Sequence, residues 1–242
     1  MSLITWTPTA VSSEAFDWRG QVWRMVESQY IAATMKLVDT LEEQDLLETL
    51  VETSKPGLPD DTQQLDYLLA TPFRYYPNRG GSRFRAASDP GVFYGAQTIR
   101  TAGAELGYWR WRFLRDATDL DRLDPVAHTA FAAEVNTTVV DLQKAPLADD
   151  ARYWQHPTDY NATQQFARTV RQAGVGGILY RSVSGPQPSW CLALLTPAGF
   201  AKRKPNAQRQ TWYLSVSHTE VTLRHDSGAH ASMRFAVDDW CA

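Results

Sequence analysis

The sequence predicts an α+β fold. Three observations carry that reading. Apolar residues recur at helical spacing through residues 1–70, the texture changes near Phe73 to short strand-like segments, and helices then mix with strands without a strict β–α–β–α rhythm. The chain has 242 residues, enough for one large domain or one domain with an extension. Hydrophobic residues are 43% of it and aromatics 12%, which supports a buried core and excludes wholesale disorder.

The elements follow in order. Val22, Met25, Val26, Tyr30, Met35, Leu37, Val38 and Leu41 keep close to i, i+3, i+4 spacing and predict a helix over 21–41. Leu46, Leu47, Leu50 and Val51 form one stripe of a second helix, which Pro56, Gly57 and Pro59 end. Asp60 is placed to cap a third helix through 62–70. Three short strands are expected next, at 73–76, at 83–86 after a Gly80-Gly81 turn, and at 91–96. Thr98 caps a helix over 97–114. Strands at 130–135 and 137–142 precede a helix from Asp159 that Gly174 ends. Residues 176–183 and 190–195 read as buried strands, and 210–226 with 231–237 as a terminal antiparallel sheet. The predicted organisation is a helical extension over 1–70 and a mixed domain over 71–242.

The net charge of −3 argues against a general nucleic-acid coat, so no direct nucleic-acid partner is expected. No apolar run approaches the ~18 residues of a membrane helix, and the N-terminus lacks the basic start of a signal peptide. Cys191 and Cys241 make no disulfide framework and no metal site, and a reducing cytoplasm is the expected location. Charge is nevertheless segregated. Nine acidic residues against Lys55 fill 39–70, and eight arginines against Asp89 and Glu105 fill 74–115. Guanidinium groups suit bidentate contacts to phosphate or carboxylate, so some of these arginines are candidates for an anion site.

Common catalytic motifs are missing. There is no phosphate-binding P-loop, no dinucleotide G-x-G-x-x-G after a strand and no G-x-S-x-G elbow. His218, His225 and His230 match no zinc spacing. Trp109 and Trp111 alternate with Arg110 and Arg112, which on a helix spreads them over different faces.

One ordered set does carry information: Phe73-Arg74-Tyr75, then Gly81-Ser82-Arg83-Phe84, Val92-Phe93-Tyr94, Ala104-Glu105, and finally Tyr180-Arg181-Ser182 after a glycine-rich turn. Eleven positions separate Arg83 from Tyr94, and eleven more lead to Glu105. This set resembles the RES domain family, from Pro72 to the C-terminus, in a long form with a helical N-terminal extension. The resemblance implies a core similar to ADP-ribosyltransferases. It implies an enzyme that takes NAD+ as a substrate, with no other cofactor, and cleaves its nicotinamide–ribose bond with water or phosphate. Several family members are toxins held by an Xre-type helix-turn-helix antitoxin, which would be the partner here, and the reading leaves room for a homodimer. Two alternatives stay open: mono-ADP-ribosylation of a protein, and a non-catalytic nucleotide-binding module. The resemblance implies catalytic roles for Arg74, Glu105 and Ser182, and NAD+ contacts from Arg74, Tyr75, Arg83, Tyr94 and Ser182. Arginines would hold the pyrophosphate, tyrosines would stack on a ring, and the glutamate would stabilise positive charge on the ribose.

Overall fold

The computed structural model describes residues 6–28, 38, 40–75, 81–185, 188–227 and 231–240, apart from the side chain of Glu48. In chain order the elements are α1 (Pro8–Ser13), β1 (Phe16–Glu27), α2 (Leu41–Ser54), α3 (Tyr67–Arg74), β2 (Phe93–Ala96), α4 (Ile99–Asp116), β3 (Arg122–Asp141), α5 (Ala151–Trp154), α6 (Asn161–Gln172), β4 (Gly177–Arg181), β5 (Trp190–Leu194), β6 (Gln210–Ser217), β7 (Glu220–His225) and β8 (Ser232–Ala236). The fold class is α+β.

All eight strands share one sheet, in the order β1-β2-β5-β4-β3-β6-β7-β8. β1 also pairs along its whole length with β3, from Phe16 opposite Val139 to Glu27 opposite His128. That second pairing closes β1, β2, β5, β4 and β3 into a ring, and β6, β7 and β8 extend from the first half of β3. The ring has two buried sides. Val22, Phe93, Phe131, Val135, Leu179, Leu192 and Leu194 pack together with Leu68, Leu69 and Phe73 of α3. Their strand neighbours Ala96, Ala130, Ile178, Tyr180, Cys191 and Ala193 join a larger cluster with α4 and α6. Alternate residues of each strand thus serve opposite faces.

The first third departs from the predicted helical layer. Residues 16–27 are a strand of the sheet, so the helical extension over 1–70 is corrected: its second element belongs to the core. The physical reason lies in burial on both faces. Val22 packs on one side of the sheet and Met25 on the other. A strand covered on both sides loses its polar alternation and shows spacings that a helix also gives. Tyr30, Met35 and Leu37 of the expected helix lie outside the described residues. The second helix forms as expected, started by a capping box in which Thr40 and Glu43 bond each other's backbone. Its apolar stripe, however, leaves Leu46 and Leu50 exposed. The third helix begins at Asp66, whose carboxylate accepts from the amide of Leu68, rather than at Asp60. It runs through Phe73 and Arg74, which removes the strand expected there, and Tyr76 and Gly80 lie outside the described residues. Residues 83–86 form a turn with a single bridge between Ser82 and Arg85. Gly81 enters that turn with φ +73, and a Cβ there would sit 2.0 Å from the Arg85 carbonyl oxygen. Only glycine fits.

Downstream, sequence and structure agree closely. Thr98 caps α4 by accepting from the Thr101 amide, and Gly174 follows α6 with φ +73. The two strands expected within 130–142 are one long strand, β3.

His128 is 1% exposed on β3. Its Nδ1 is 2.9 Å from the Val126 carbonyl, to which it donates, and its buried Nε2 has no partner among the described residues. Burial holds its pKa below the ordinary 6.5, with the charge of Arg110 adding to the effect. A histidine with a depressed folded pKa contributes stability that is present above about pH 6.5 and is lost as pH falls through the folded value. Urea midpoints should therefore drop between pH 7.5 and pH 5.5, and His128→Phe should flatten that slope. An equal slope in the variant would exonerate His128.

Candidate active site

A cavity of about 360 Å³ opens where β1, β2, α4, β5 and the 81–91 loop meet. Its wall includes Arg24, Arg83, Tyr94, Glu105, Tyr180 and Cys191, and aromatic side chains dominate the remainder: Trp23, Tyr108, Trp109 and Tyr160. Three of the sequence-derived candidates, Arg83, Tyr94 and Glu105, line it directly.

Glu105 sits on the second turn of α4, past the Thr98 cap, and its carboxylate is held by a buried serine. Ser182 Oγ donates to Oε1 at 2.6 Å. Ser184 lies close enough to favour the charged form of the same carboxylate. Both serines are almost fully buried, and Ser184 is fixed in turn by Trp240 Nε1, which donates to its carbonyl at 2.6 Å. Burial raises the carboxyl pKa above the ordinary 4.5, against the opposing pull of the Ser182 bond, the Arg83 charge and Ser184. Ser182 is thus a donor to the carboxylate, and it is not among the residues lining the cavity.

Arg83 rides on the 81–91 loop, which the rest of the protein grips from several sides. Thr163 Oγ1 donates to the Arg83 carbonyl, and Gln164 Nε2 donates to the Ser82 carbonyl at 2.9 Å. Tyr94 reaches back from β2 so that its hydroxyl accepts from the Phe84 amide at 3.0 Å and shares a 2.7 Å bond with Ser82. Arg83 Nη1 donates to the carbonyls of Trp154 and His156 at 2.8 and 3.0 Å. Its guanidinium also lies 4.8 Å from the centre of the Tyr160 ring. Nε and Nη2 have no partner among the described residues, which leaves donors for an anion in the cavity. A charged group fixed this way needs little reorganisation when a ligand arrives.

Arg24 was not a candidate from sequence, yet it stands in the cavity wall. Its Nη1 donates to the Tyr94 carbonyl at 2.8 Å and its charge lies 5.1 Å from the Phe93 ring centre. It has no acidic partner among the described residues, and its buried Nε bonds nothing. Burial lowers its pKa to about 10, so it remains charged at neutral pH. A partly buried guanidinium without a counter-ion is costly, and sites that receive an anion are where such costs persist.

Arg74 and Tyr75 are not brought to the cavity. Arg74 ends α3, where its Nη1 pairs with Glu52 of α2 at 2.8 Å and its Nε donates to the Pro56 carbonyl at 2.6 Å. It fastens α2 to α3, and Tyr75 stacks against it with the charge 5.9 Å from the ring. Neither residue expected at the site from the sequence lines the cavity. Arg74→Ala should change stability by no more than about 1 kcal/mol. It should leave NAD+ turnover within twofold, measured as nicotinamide release. A tenfold loss would return Arg74 to the site.

The remaining titratable side chains are poor nucleophiles. Burial pushes the Cys191 thiol and the Tyr180 phenol well up, so both stay protonated at neutral pH. Among the described residues no group of three His, Cys, Asp or Glu side chains could hold a metal ion, and no helix is long and apolar enough to cross a membrane. The cavity therefore offers one carboxylate, two arginines with spare donors and a wall of aromatic rings.

No match is found among curated proteins. Among solved structures, a chain of the M. tuberculosis MbcT–MbcA toxin–antitoxin complex is similar, at a TM-score of 0.45 and 13% sequence identity, over 94% of this chain and 90% of that one. The family model of the RES domain matches residues 58–217, more than half of the sequence and the span that supplies Arg83, Tyr94, Glu105 and Ser182, so the chain belongs to the RES domain family.

Proposed function

We propose that the protein consumes NAD+ by breaking its nicotinamide–ribose bond, with water or phosphate as acceptor. The observation that carries this reading is Glu105: a carboxylate bonded by Ser182, within reach of Arg83's charge, in a cavity with several aromatic rings in its wall. Each part matches a need of the substrate. The pyrophosphate takes the free donors of Arg83 and Arg24. The flat, positively charged nicotinamide ring favours aromatic faces, which attract cations. Cleavage passes through an oxocarbenium-like state, and Glu105 faces the ribose to bond its hydroxyls and offset the growing positive charge.

The electron accounting explains why one carboxylate suffices. When the bond between the ring nitrogen and the anomeric carbon (C1″ of ADP-ribose) breaks, its electron pair returns to the ring nitrogen and nicotinamide leaves neutral. No general acid has to protonate it, unlike the sugar oxygen of an ordinary glycoside. Water then bonds to C1″ and loses its proton to solvent, or a phosphate oxygen takes its place.

The same reading makes the protein the toxin of a toxin–antitoxin pair, because depletion of NAD+ stops growth. Its partner would be a helix-turn-helix antitoxin that closes the cavity. The direct test is purified protein with NAD+, with and without phosphate, followed by quantitation of nicotinamide, ADP-ribose and ADP-ribose 1″-phosphate. Release of nicotinamide is the expected result. No release with water, phosphate or protein extract as acceptor would overturn the reading.

A further inference from the structure

Trp109 follows Glu105 by four residues on α4, one turn along and on the same side of the helix. It lines the cavity and is 47% exposed. The buried face of α4 is supplied by Ala104, Gly107, Trp111 and Leu114, so the core does not require an indole at 109. Even so, the ring is held. The Arg112 guanidinium lies 5.2 Å from its centre, and Tyr108 and Tyr160 approach edge-on at 5.7 and 6.5 Å. Arg112 forms no ion pair or hydrogen bond among the described residues; its contacts are the rings of Tyr108 and Trp109. A large aromatic surface, braced from its surroundings and open at a cavity mouth, is the form of a stacking platform.

Charge decides which ring it seats. The nicotinamide ring is cationic until its bond breaks, and the adenine is neutral. The cationic ring belongs near Glu105. The charge set against the Trp109 ring is positive, from Arg112 5.2 Å from its centre; the Glu105 carboxylate lies one turn back on the helix, and Arg83 lies beyond Tyr160. A cationic ring is repelled there and a neutral purine is not. We infer that Trp109, braced by Arg112 and edged by Tyr160, is the seat of the adenine ring. The inference rests on the NAD+ reading above and deepens it. Glu105 and Trp109 are only about 6 Å apart along the helix axis, so the dinucleotide binds folded back on itself.

The test is calorimetric titration of the full chain with two halves of the substrate. ADP-ribose carries the adenine, and nicotinamide mononucleotide lacks it. Trp109→Ala should weaken ADP-ribose about tenfold, within the range for loss of one base–aromatic stack, and leave nicotinamide mononucleotide within twofold. Trp109→Phe should restore most of the ADP-ribose affinity, which a merely structural role would not require. Equal weakening of both ligands, no weakening of either, or no ADP-ribose binding by the wild type would overturn the adenine seat. The outcome separates from that of the parent reading. Trp109-dependent ADP-ribose binding without NAD+ turnover keeps the seat and removes the reaction. Turnover with ADP-ribose binding indifferent to Trp109 does the reverse.

Discussion

Glu105→Gln should lower kcat for NAD+ cleavage by about 10²–10³-fold, the usual cost of removing one directed charge from a transition state. The substitution keeps the shape of the side chain and leaves an oxygen to accept from Ser182, so KM should change little. Stability should move the other way. The folded pKa of Glu105 is raised above 4.5 by burial, so its favourable protonated form is lost as pH rises through that folded value. Above that value the protein carries the cost of a buried carboxylate. Glutamine removes it, and the variant should be about 0.5–2 kcal/mol more stable at pH 7.5. That gain should vanish near pH 4, where the wild-type carboxyl is neutral too. The wild-type rate should fall on the acid side through a pKa above the ordinary glutamate value, because the ionised form does the work. Turnover by the variant equal to wild type would remove Glu105 from the reaction. A variant less stable at pH 7.5 would mean that the Ser182 bond outweighs the burial cost.

This part of the candidate site was legible in the sequence because its residues are close along the chain. Arg83, Tyr94 and Glu105 lie on one loop, one strand and one helix that follow each other directly. Local signals fix those elements: Gly81 for the turn, Tyr94 on a short apolar run, and Thr98 before the helix. Even spacing along the chain therefore survives as proximity in space. Ser184 was within reach of the same logic, since it stands two residues beyond Ser182 and both leave the same strand end.

Other parts were hidden for physical reasons. Arg24 is 59 positions before Arg83, and no pattern within a window could join them. The ring closure that brings β1 beside β2 and β3 is a long-range pairing. Arg74 misled because Phe73-Arg74-Tyr75 looks like a strand end. The structure instead has Pro72 inside α3, where Asp66 had already started the helix. The apolar stripe on α2 shows the reverse error, since helical spacing is present in the sequence and burial does not follow from it.

Arg24→Met should separate the two costs at the other arginine. Methionine follows the arginine side chain as far as Nε and carries no charge, so it keeps the packing of the stem on β1 and vacates the place of the guanidinium. Loss of a charge-assisted bond to a phosphate is worth about 1.5–3 kcal/mol, which predicts KM for NAD+ raised by roughly 10- to 100-fold. kcat should fall less, because on the proposed reading Arg24 would hold the pyrophosphate and would not act on the breaking bond. Stability should rise by about 1–3 kcal/mol, since the guanidinium is partly buried, has an unbonded Nε and faces no carboxylate among the described residues. The lost bond to the Tyr94 carbonyl sets the limit on that gain. The measurements are NAD+ saturation curves and urea unfolding of the same preparation. A KM within twofold of wild type would mean that the anion is held elsewhere and that Arg24 only supports β2. A destabilised variant with a raised KM would trace the binding loss to a displaced Tyr94 instead, and the conservative Arg24→Lys, which restores charge but not the fork, would then fail to recover either property.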